Sequence, residues 1–290
     1  MVRICTLIIN PVSGGYSEQR LKQVMTALEA GGLSPELLLT ENADDAELFS
    51  RRICQDREEP FLIAVGGDGT VNGVINGLVA EKATLAVLPL GTANVLSKEL
   101  GIVSLKDAVA RIVRGATRPL TVGLLEAGVV RRRFLLMVGI GLDGFIVRGV
   151  REREKRIVGK GAYILSAIRL LRHWERERLE VTADGRRIQC HSVVVCNAAH
   201  YGGGFILAPG ADLFTSEFQV ACIAADTRSA YLRLALAVIS GRVVDNHDIF
   251  HFGARELLVS GKKAVQADGD YCCAAPVRIT SSRGFARLVV

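Results

Sequence analysis

The residues best suited to chemistry lie between 61 and 78, in FLIAVGGDGTVNGVINGL. Phe61 to Val65 is a short apolar run of the kind that forms a strand buried on both faces. It stops at Gly66-Gly67-Asp68-Gly69-Thr70. Val71, Val74, Ile75 and Leu78 then recur at helical spacing, with Asn72, Gly73 and Asn76 between them. A strand that feeds a glycine-rich turn and then a helix aims several backbone N–H groups, and the positive end of a helix dipole, at one point. That is a place to hold phosphate. The glycines let the backbone approach closely, and Asp68 can hold a cation over the phosphates. A second strand–Gly–Thr–Asn–helix turn follows at Pro89 to Asn94, with Gly91, Thr92 and Asn94, and a third glycine-bearing turn, NPVSGG, runs from Asn10 to Gly15. The arrangement predicts the nucleotide site of a phosphotransferase.

Three features position these turns. The first ~125 residues alternate strand and helix in the manner of a parallel α/β sheet. Strands are expected at Ile4–Ile9, Leu37–Leu39 (closing with Thr40), Phe61–Val65 and Leu85–Leu88. Helices are expected from Ser17, a capping residue, to the stop at Gly31-Gly32, over Ala43–Cys54, and over Leu105–Arg114. In such a sheet ligands sit outside the carboxyl ends of the strands, which is where all three turns fall. After Arg118 strands dominate: Leu120–Glu126, Phe134–Val138, Leu179–Thr182, Ser192–Cys196, Phe218–Ile223, Glu256–Ser260, Val277–Thr280 and Ala286–Val290. Helical inserts are expected near 159–175 and 228–240. The expected architecture is a parallel α/β domain over 1–120 followed by an antiparallel β-sandwich over 121–290.

Composition narrows the class. The 290 residues are 49% hydrophobic and 23% charged, as in a folded globular protein, and no apolar run reaches the roughly 18–20 residues of a membrane span. The N-terminal MVRICTLIINP reads as a first strand rather than a signal peptide. Seven scattered cysteines with no C-x-x-C pair indicate neither zinc nor a disulfide framework, and Cys272-Cys273 reads as free thiols in a reducing cytoplasm. A formal charge of +6 suits anionic ligands or an anionic membrane surface and does not by itself indicate nucleic acid. None of the five histidines has metal-ligand spacing.

With these residues in view, the chain resembles the diacylglycerol kinase catalytic-domain family, in particular the bacterial lipid kinases related to sphingosine kinases. The resemblance rests on an ordered series: NPVSG at 10–14, GGDGTVN at 66–72, PLGTAN at 89–94, GIGLDG at 139–144, KRIVGKGAY at 155–163, NAAHYGGGFILAPGA at 197–211 and DGD at 268–270. It implies an N-terminal α/β nucleotide domain and a C-terminal β-sandwich lipid domain, with the active site in the cleft between them. It further implies transfer of the ATP γ-phosphoryl group to a lipid hydroxyl with Mg²⁺, by a cytoplasmic protein peripheral to the membrane. Nucleic acid is not an implied partner, and a homodimer is left open. The implied nucleotide contacts are Asn10, Pro11, Val12, Ser13, Gly14, Thr40, Gly66, Gly67, Asp68, Gly69, Thr70, Val71, Asn72, Gly73, Gly91, Thr92 and Asn94. A lipid hydroxyl needs a carboxylate to take its proton, and Asp268 and Asp270 occupy the family's base position. Asp68 is a further candidate for that role, and Asp143 for the same metal–water network.

Two departures stand out. The family's D-G-E is D-G-D here, so Asp270 is one methylene shorter, and the choice between Asp268 and Asp270 stays open. The loop that holds a structural Mg²⁺ in the family, A-x-L-x-D-G-x-L-D-V, is here ADLFTSEFQV over Ala211–Val220, with Asp212 and Glu217 off the matching positions. That structural metal is therefore not expected, and no metal ligand set is assigned. Plainer readings compete at several points. Asp-Gly at 268–269 is also a common hairpin turn. Asp143 reads equally as a loop carboxylate. REREKR at 151–156 is either a solvated charged face or, with Lys155, Arg156 and Lys160, a set reaching phosphate. Rival functions are an NAD kinase or phosphofructokinase type of small-molecule kinase, which shares the GGDG turn, and a catalytically weak, membrane-associated nucleotide-binding protein. Dinucleotide binding of the Rossmann kind fits poorly, since no G-x-G-x-x-G follows the first strand.

Overall fold

The computed structural model describes residues 3–149, 177–201, 204–242 and 247–290. The run 151–163, with Lys155, Arg156 and Lys160, and the helix expected near 159–175 lie outside the described residues. The chain divides into two compact units, 1–122 with 200–204 and 282–290, and 123–199 with 205–281.

In the first unit the elements are β1 (Arg3–Ile9), α1 (Glu18–Ala30), β2 (Leu33–Leu39), α2 (Asp45–Asp56), β3 (Phe61–Gly66), α3 (Asp68–Gly77), β4 (Thr84–Pro89), α4 (Val95–Glu99) and α5 (Leu105–Arg114). The sheet order is β2-β1-β3-β4, all parallel, with Thr6 opposite Leu62 and Leu62 opposite Leu85. Alternate residues of these strands (Cys5, Leu7, Ile9, Ile63, Val65, Leu88) pack with Val24 and Leu28 of α1 and Ile112 of α5. The residues between them, Ile8, Leu62 and Leu85, are equally buried, as a strand covered on both faces requires. Ser17 caps α1 by accepting from Arg20 N, and Ser104 caps α5 by accepting from Asp107 N.

The second unit contains β5 (Thr117–Ala127, begun in the first), β6 (Val130–Phe134), β7 (Met137–Ile140), α6 (Leu142–Gly149), β8 (Leu179–Ala183), β9 (Arg186–Cys190) and β10 (Ser192–Cys196). The two-residue strand β11 (His200–Tyr201) belongs to the first unit, and β12 (Phe205–Ile206) to the second. β13 (Phe218–Ile223), α7 (Arg228–Ile239), β14 (Ile249–Ala254), β15 (Glu256–Ser260), β16 (Ala264–Ala267), β17 (Asp270–Ala274) and β18 (Val277–Val289) complete it. One antiparallel sheet runs β14-β13-β10-β7-β16-β17, and β9, β8, β15 and the first part of β18 form the other layer. Phe134, Val138, Ile140, Val195 and Phe218 meet Leu179, Val181, Leu257, Val259 and Ile279 in a shared core, which is the β-sandwich expected.

Two strand assignments are corrected. The run expected as one strand over Phe134–Val138 is broken between β6 and β7, because the amides of Leu135, Leu136 and Met137 bond to the carboxylate of Asp268. Conversely, Val277–Thr280 and Ala286–Val290 are one strand, β18. Its upstream half pairs antiparallel with β15, and its far end pairs parallel with β4 through Arg287 and Leu288. β9, β14, β16 and β17 are strands that the sequence reading did not separate.

Candidate active site

The three glycine-bearing turns of the first unit are tied to one another at the carboxyl ends of β1, β3 and β4. Asn10 N donates to Val65 O (3.0 Å), Leu90 N to Gly66 O (2.9 Å) and Gly15 N to Leu90 O (2.8 Å). Thr40 joins the same edge through its N–H to Ile9 O, at 2.8 Å. Gly67 and Gly91 lie so close that a Cβ on Gly91 would fall 2.4 Å from Gly67 Cα, so a side chain at Gly91 would collide with the neighbouring loop. Asn94 sits in the left-handed region (φ 46°) that asparagine tolerates, and its side chain closes its own turn by accepting from Gly91 N at 2.9 Å and donating to Gly91 O at 2.7 Å.

Asp68 opens α3 behind Gly67, and its Oδ1 accepts from Leu96 N at 3.2 Å, which fastens the first turn of α3 to α4. Thr70 and Asn72 are buried; Val71, also buried, donates its N–H to Gly67 O. Gly73 packs on Ala46 of α2, so this member of the expected set serves helix packing. A Cβ placed at Gly14 or Gly69 would meet nothing within 4 Å, so open space lies beside both. Val12, Thr92 and Gly69 are exposed, and Ser13 and Pro11 half-buried. Backbone amides around an α-helix N-terminus, one carboxylate and free volume fit a nucleotide phosphate chain with its cation.

The sequence reading missed a clamp on α4. Glu99 Oε2 accepts from both His200 N (3.0 Å) and His200 Nδ1 (2.6 Å), holding His200 to the helix that follows the second turn. The partners are 101 residues apart, and no local pattern announces them.

In the second unit, Asp268 and Gly269 have φ of 49° and 89°, the pair of positive values that a two-residue hairpin between β16 and β17 demands. The carboxylate of Asp268 accepts from Leu135 N (2.7 Å), Leu136 N (2.8 Å) and Met137 N (2.9 Å). It is an anchor for the β6–β7 corner. Asp270 points elsewhere: its side chain is 51% exposed and lies 3.9 Å from Arg132 Nη2. Gln266 holds the turn from inside, accepting from Gly269 N at 2.8 Å and donating to Asp143 Oδ2 at 2.6 Å. Asp143 is buried and packs on Gly139, where a Cβ would stand 1.8 Å from its Oδ2. The GIGLDG and DGD motifs thus meet through Gln266. Ser192 supports the start of α6 by accepting from Leu142 N and from the Tyr231 hydroxyl, at 3.0 and 2.7 Å.

In the Ala211–Val220 loop, which departs from the family pattern, several polar side chains have protein partners. Asp212 Oδ1 caps Phe214 N, Glu217 is paired with Arg255 at 3.3 Å, and Gln219 Oε1 accepts from Gly210 N. A cavity of about 350 Å³ is lined by Gly210, Thr215, Glu217, Gln219 and His251. Among the described residues no group of three His, Cys, Asp or Glu side chains is arranged to hold a metal. All seven cysteines are free thiols.

Comparison with known proteins agrees along the chain. Residues 5–125 match the diacylglycerol kinase catalytic domain, and residues 136–290, more than half the chain, match the YegS C-terminal NAD kinase beta sandwich-like domain. A diacylglycerol kinase of Bacillus subtilis is 28% identical over 274 residues, covering 91% of this chain and 89% of its own. A diacylglycerol kinase of Mycobacterium tuberculosis is 23% identical over 285 residues, covering 95% and 91%. The crystal structure of a diacylglycerol kinase from Bacillus anthracis shares the fold, with a TM-score of 0.74 at 21% identity over 99% of this chain and 96% of that one. The chain belongs to the diacylglycerol kinase catalytic-domain family and is a lipid kinase, with ATP the phosphoryl donor that the family implies.

Proposed function

We propose that this kinase transfers the γ-phosphoryl group of ATP, with Mg²⁺, to a hydroxyl of a diacylglycerol-like lipid. The observation that carries the reading is the mutual bonding of the three glycine-bearing turns around Asp68 at one edge of the parallel sheet. Residues 1–120 are assigned the nucleotide and 121–290 the lipid. Asn10 to Gly14, Gly66 to Asn72 and Gly91 to Asn94 line the phosphates with N–H groups and short hydroxyls, Thr40 borders them, and Asp68 is the residue that would hold Mg²⁺. The cation supplies charge neutralisation on the transferring phosphoryl oxygens, a reaction that needs mainly positioning and electrostatics.

The acceptor proton is assigned to Asp270. Of the two DGD carboxylates it is the one turned outward, whereas Asp268 is engaged by three backbone amides. Asp143, acting through Gln266, fixes the turn that carries Asp270. Diacylglycerol is preferred to a sphingoid base because the relatives carry that substrate in their names. The protein is placed in the cytoplasm, at the membrane surface where such a lipid resides. Incubating the purified chain with ATP, Mg²⁺ and a total lipid extract, followed by mass spectrometry, should yield phosphatidic acid from diacylglycerol. Phosphorylation of NAD or a sugar phosphate with no phospholipid product would overturn the reading.

A further inference from the structure

Helix α7, RSAYLRLALAVI, is apolar on two sides. Its inner side buries Ala230 and Tyr231, with Tyr231 packed on Ile223 and Ile249. Its outer side exposes Leu232 at 61% and Leu236 at 58%. Four residues along a helix advance the azimuth by about 40°, so Arg228, Leu232 and Leu236 share one face. Arg233 borders the other edge of that face, with its side chain 66% exposed. The helix contains no acidic residue, and Arg233 reaches Asp248 only at 3.6 Å. β12, which packs against α7, adds Phe205 and Ile206, each 40% exposed.

We propose that this outer face of α7, with Phe205 and Ile206, is the surface by which the protein docks on an anionic lipid bilayer. The proposal rests on the lipid-phosphorylating reading above and adds to it the residues that meet the membrane. Leucines flanked by arginines fit a bilayer interface: the apolar side chains enter the headgroup–acyl boundary while the guanidinium groups stay among anionic headgroups. A second copy of the chain is the poorer occupant, because a stable protein interface engages roughly 20–30 residues a side and, among the described residues, this patch offers four exposed large apolar side chains. An anionic surface also matches the formal charge of +6.

The test uses the full chain without nucleotide and reads sedimentation with vesicles of phosphatidylcholine alone, or of phosphatidylcholine mixed with phosphatidylglycerol. The unaltered protein should sediment with the mixed vesicles, and L232S/L236S should bind them weaker by roughly tenfold or more. R228Q/R233Q should lose most of the difference between the two vesicle types, and added salt should do the same. F205S/I206S is the parallel variant if L232S/L236S does not fold. Each variant should phosphorylate a short-chain, water-dispersed diacylglycerol at the unaltered rate and lose turnover only on vesicle-borne substrate. If the unaltered protein phosphorylates no lipid in either form, the kinase reading falls, while sedimentation still decides the docking surface. Equal vesicle binding by the unaltered protein and the leucine or Phe205/Ile206 variants overturns the proposal. So does a dimer in sedimentation velocity that L232S/L236S converts to monomer, since the leucines would then hold a second copy.

Discussion

The chain carries two aspartate–glycine turns of similar spelling, Gly67-Asp68-Gly69 and Asp268-Gly269-Asp270, and they are built differently. In the first, glycine serves close approach: Gly67 abuts Gly91 of the neighbouring loop, and the backbone passes straight from strand into helix. In the second, glycine serves conformation, sharing a left-handed turn with Asp268. The aspartates divide in the same way. Asp68 accepts one hydrogen bond, from Leu96 N at the start of α4. Asp268 is occupied with three amides of another strand corner, and Asp270 beside it is turned outward. Under the proposed function, identical letters carry three jobs: the cation holder and the proton acceptor proposed for Asp68 and Asp270, and the structural anchor seen at Asp268. Only the spatial partners separate them.

The sharpest way to break that division is Asp68→Ala, which should reduce ATP-dependent transfer by about 10³-fold or more while leaving the thermal midpoint nearly unchanged. Near-normal turnover at saturating Mg²⁺ would remove Asp68 from the site. Asp270→Asn should cost roughly 10²–10⁴-fold in kcat with ATP affinity preserved, measured by single-turnover transfer and by titration calorimetry. Asp268→Ala should behave oppositely. It strands three backbone amides, so urea unfolding should show a loss of about 2–4 kcal/mol. If Asp268→Ala is as stable as the parent yet inactive, anchor and base have been exchanged.

Smaller effects probe the cradle. Gly91→Ala pushes a methyl against Gly67 and should weaken ATP binding by about tenfold, read in the same titration. Mg²⁺ alone should scarcely move the melting temperature, because Arg255, Thr215 and Gln219 already close the Ala211–Val220 loop. Mg²⁺ with ATP should raise it by mass action, worth about 2.7 kcal/mol at a hundredfold excess over Kd. A large rise with Mg²⁺ alone would mean that Asp212 and Glu217 hold a cation after all.

The two units differ in how much of them could be read from sequence. The first was legible because its strands are continuous apolar runs, each followed at once by its own turn and helix, with Ser17 and Ser104 marking helix starts. Its parallel order adds partners that are far apart but equivalent in kind. In the second unit the informative contacts are long-range. The break at Leu135–Leu136 is made by a side chain more than 130 positions away. Ser282-Arg283-Gly284 reads as a turn, yet the strand continues through it because its partner changes from β15 to β4. At the candidate site the glycine turns and the carboxylates were visible as types and spacing. The Glu99–His200 clamp and the Gln266 bridge were not, since glutamate, histidine and glutamine carry no local signature of their partner.

The far end of β18 also bears on how the molecule is made. Residues Ala286, Leu288 and Val289 are buried beside β4, with Arg287 N bonded to Ala83 O and Glu81 N to Phe285 O. A ribosome releases β1 to β4 first, but the outer edge of β4 remains unpaired until residues 282–290 have emerged. Such an edge is a template for wrong strand partners. The parallel sheet of this kinase therefore waits on residues made long after its own strands, and a chain cut before residue 282 would be left with an open sheet rather than a merely smaller enzyme.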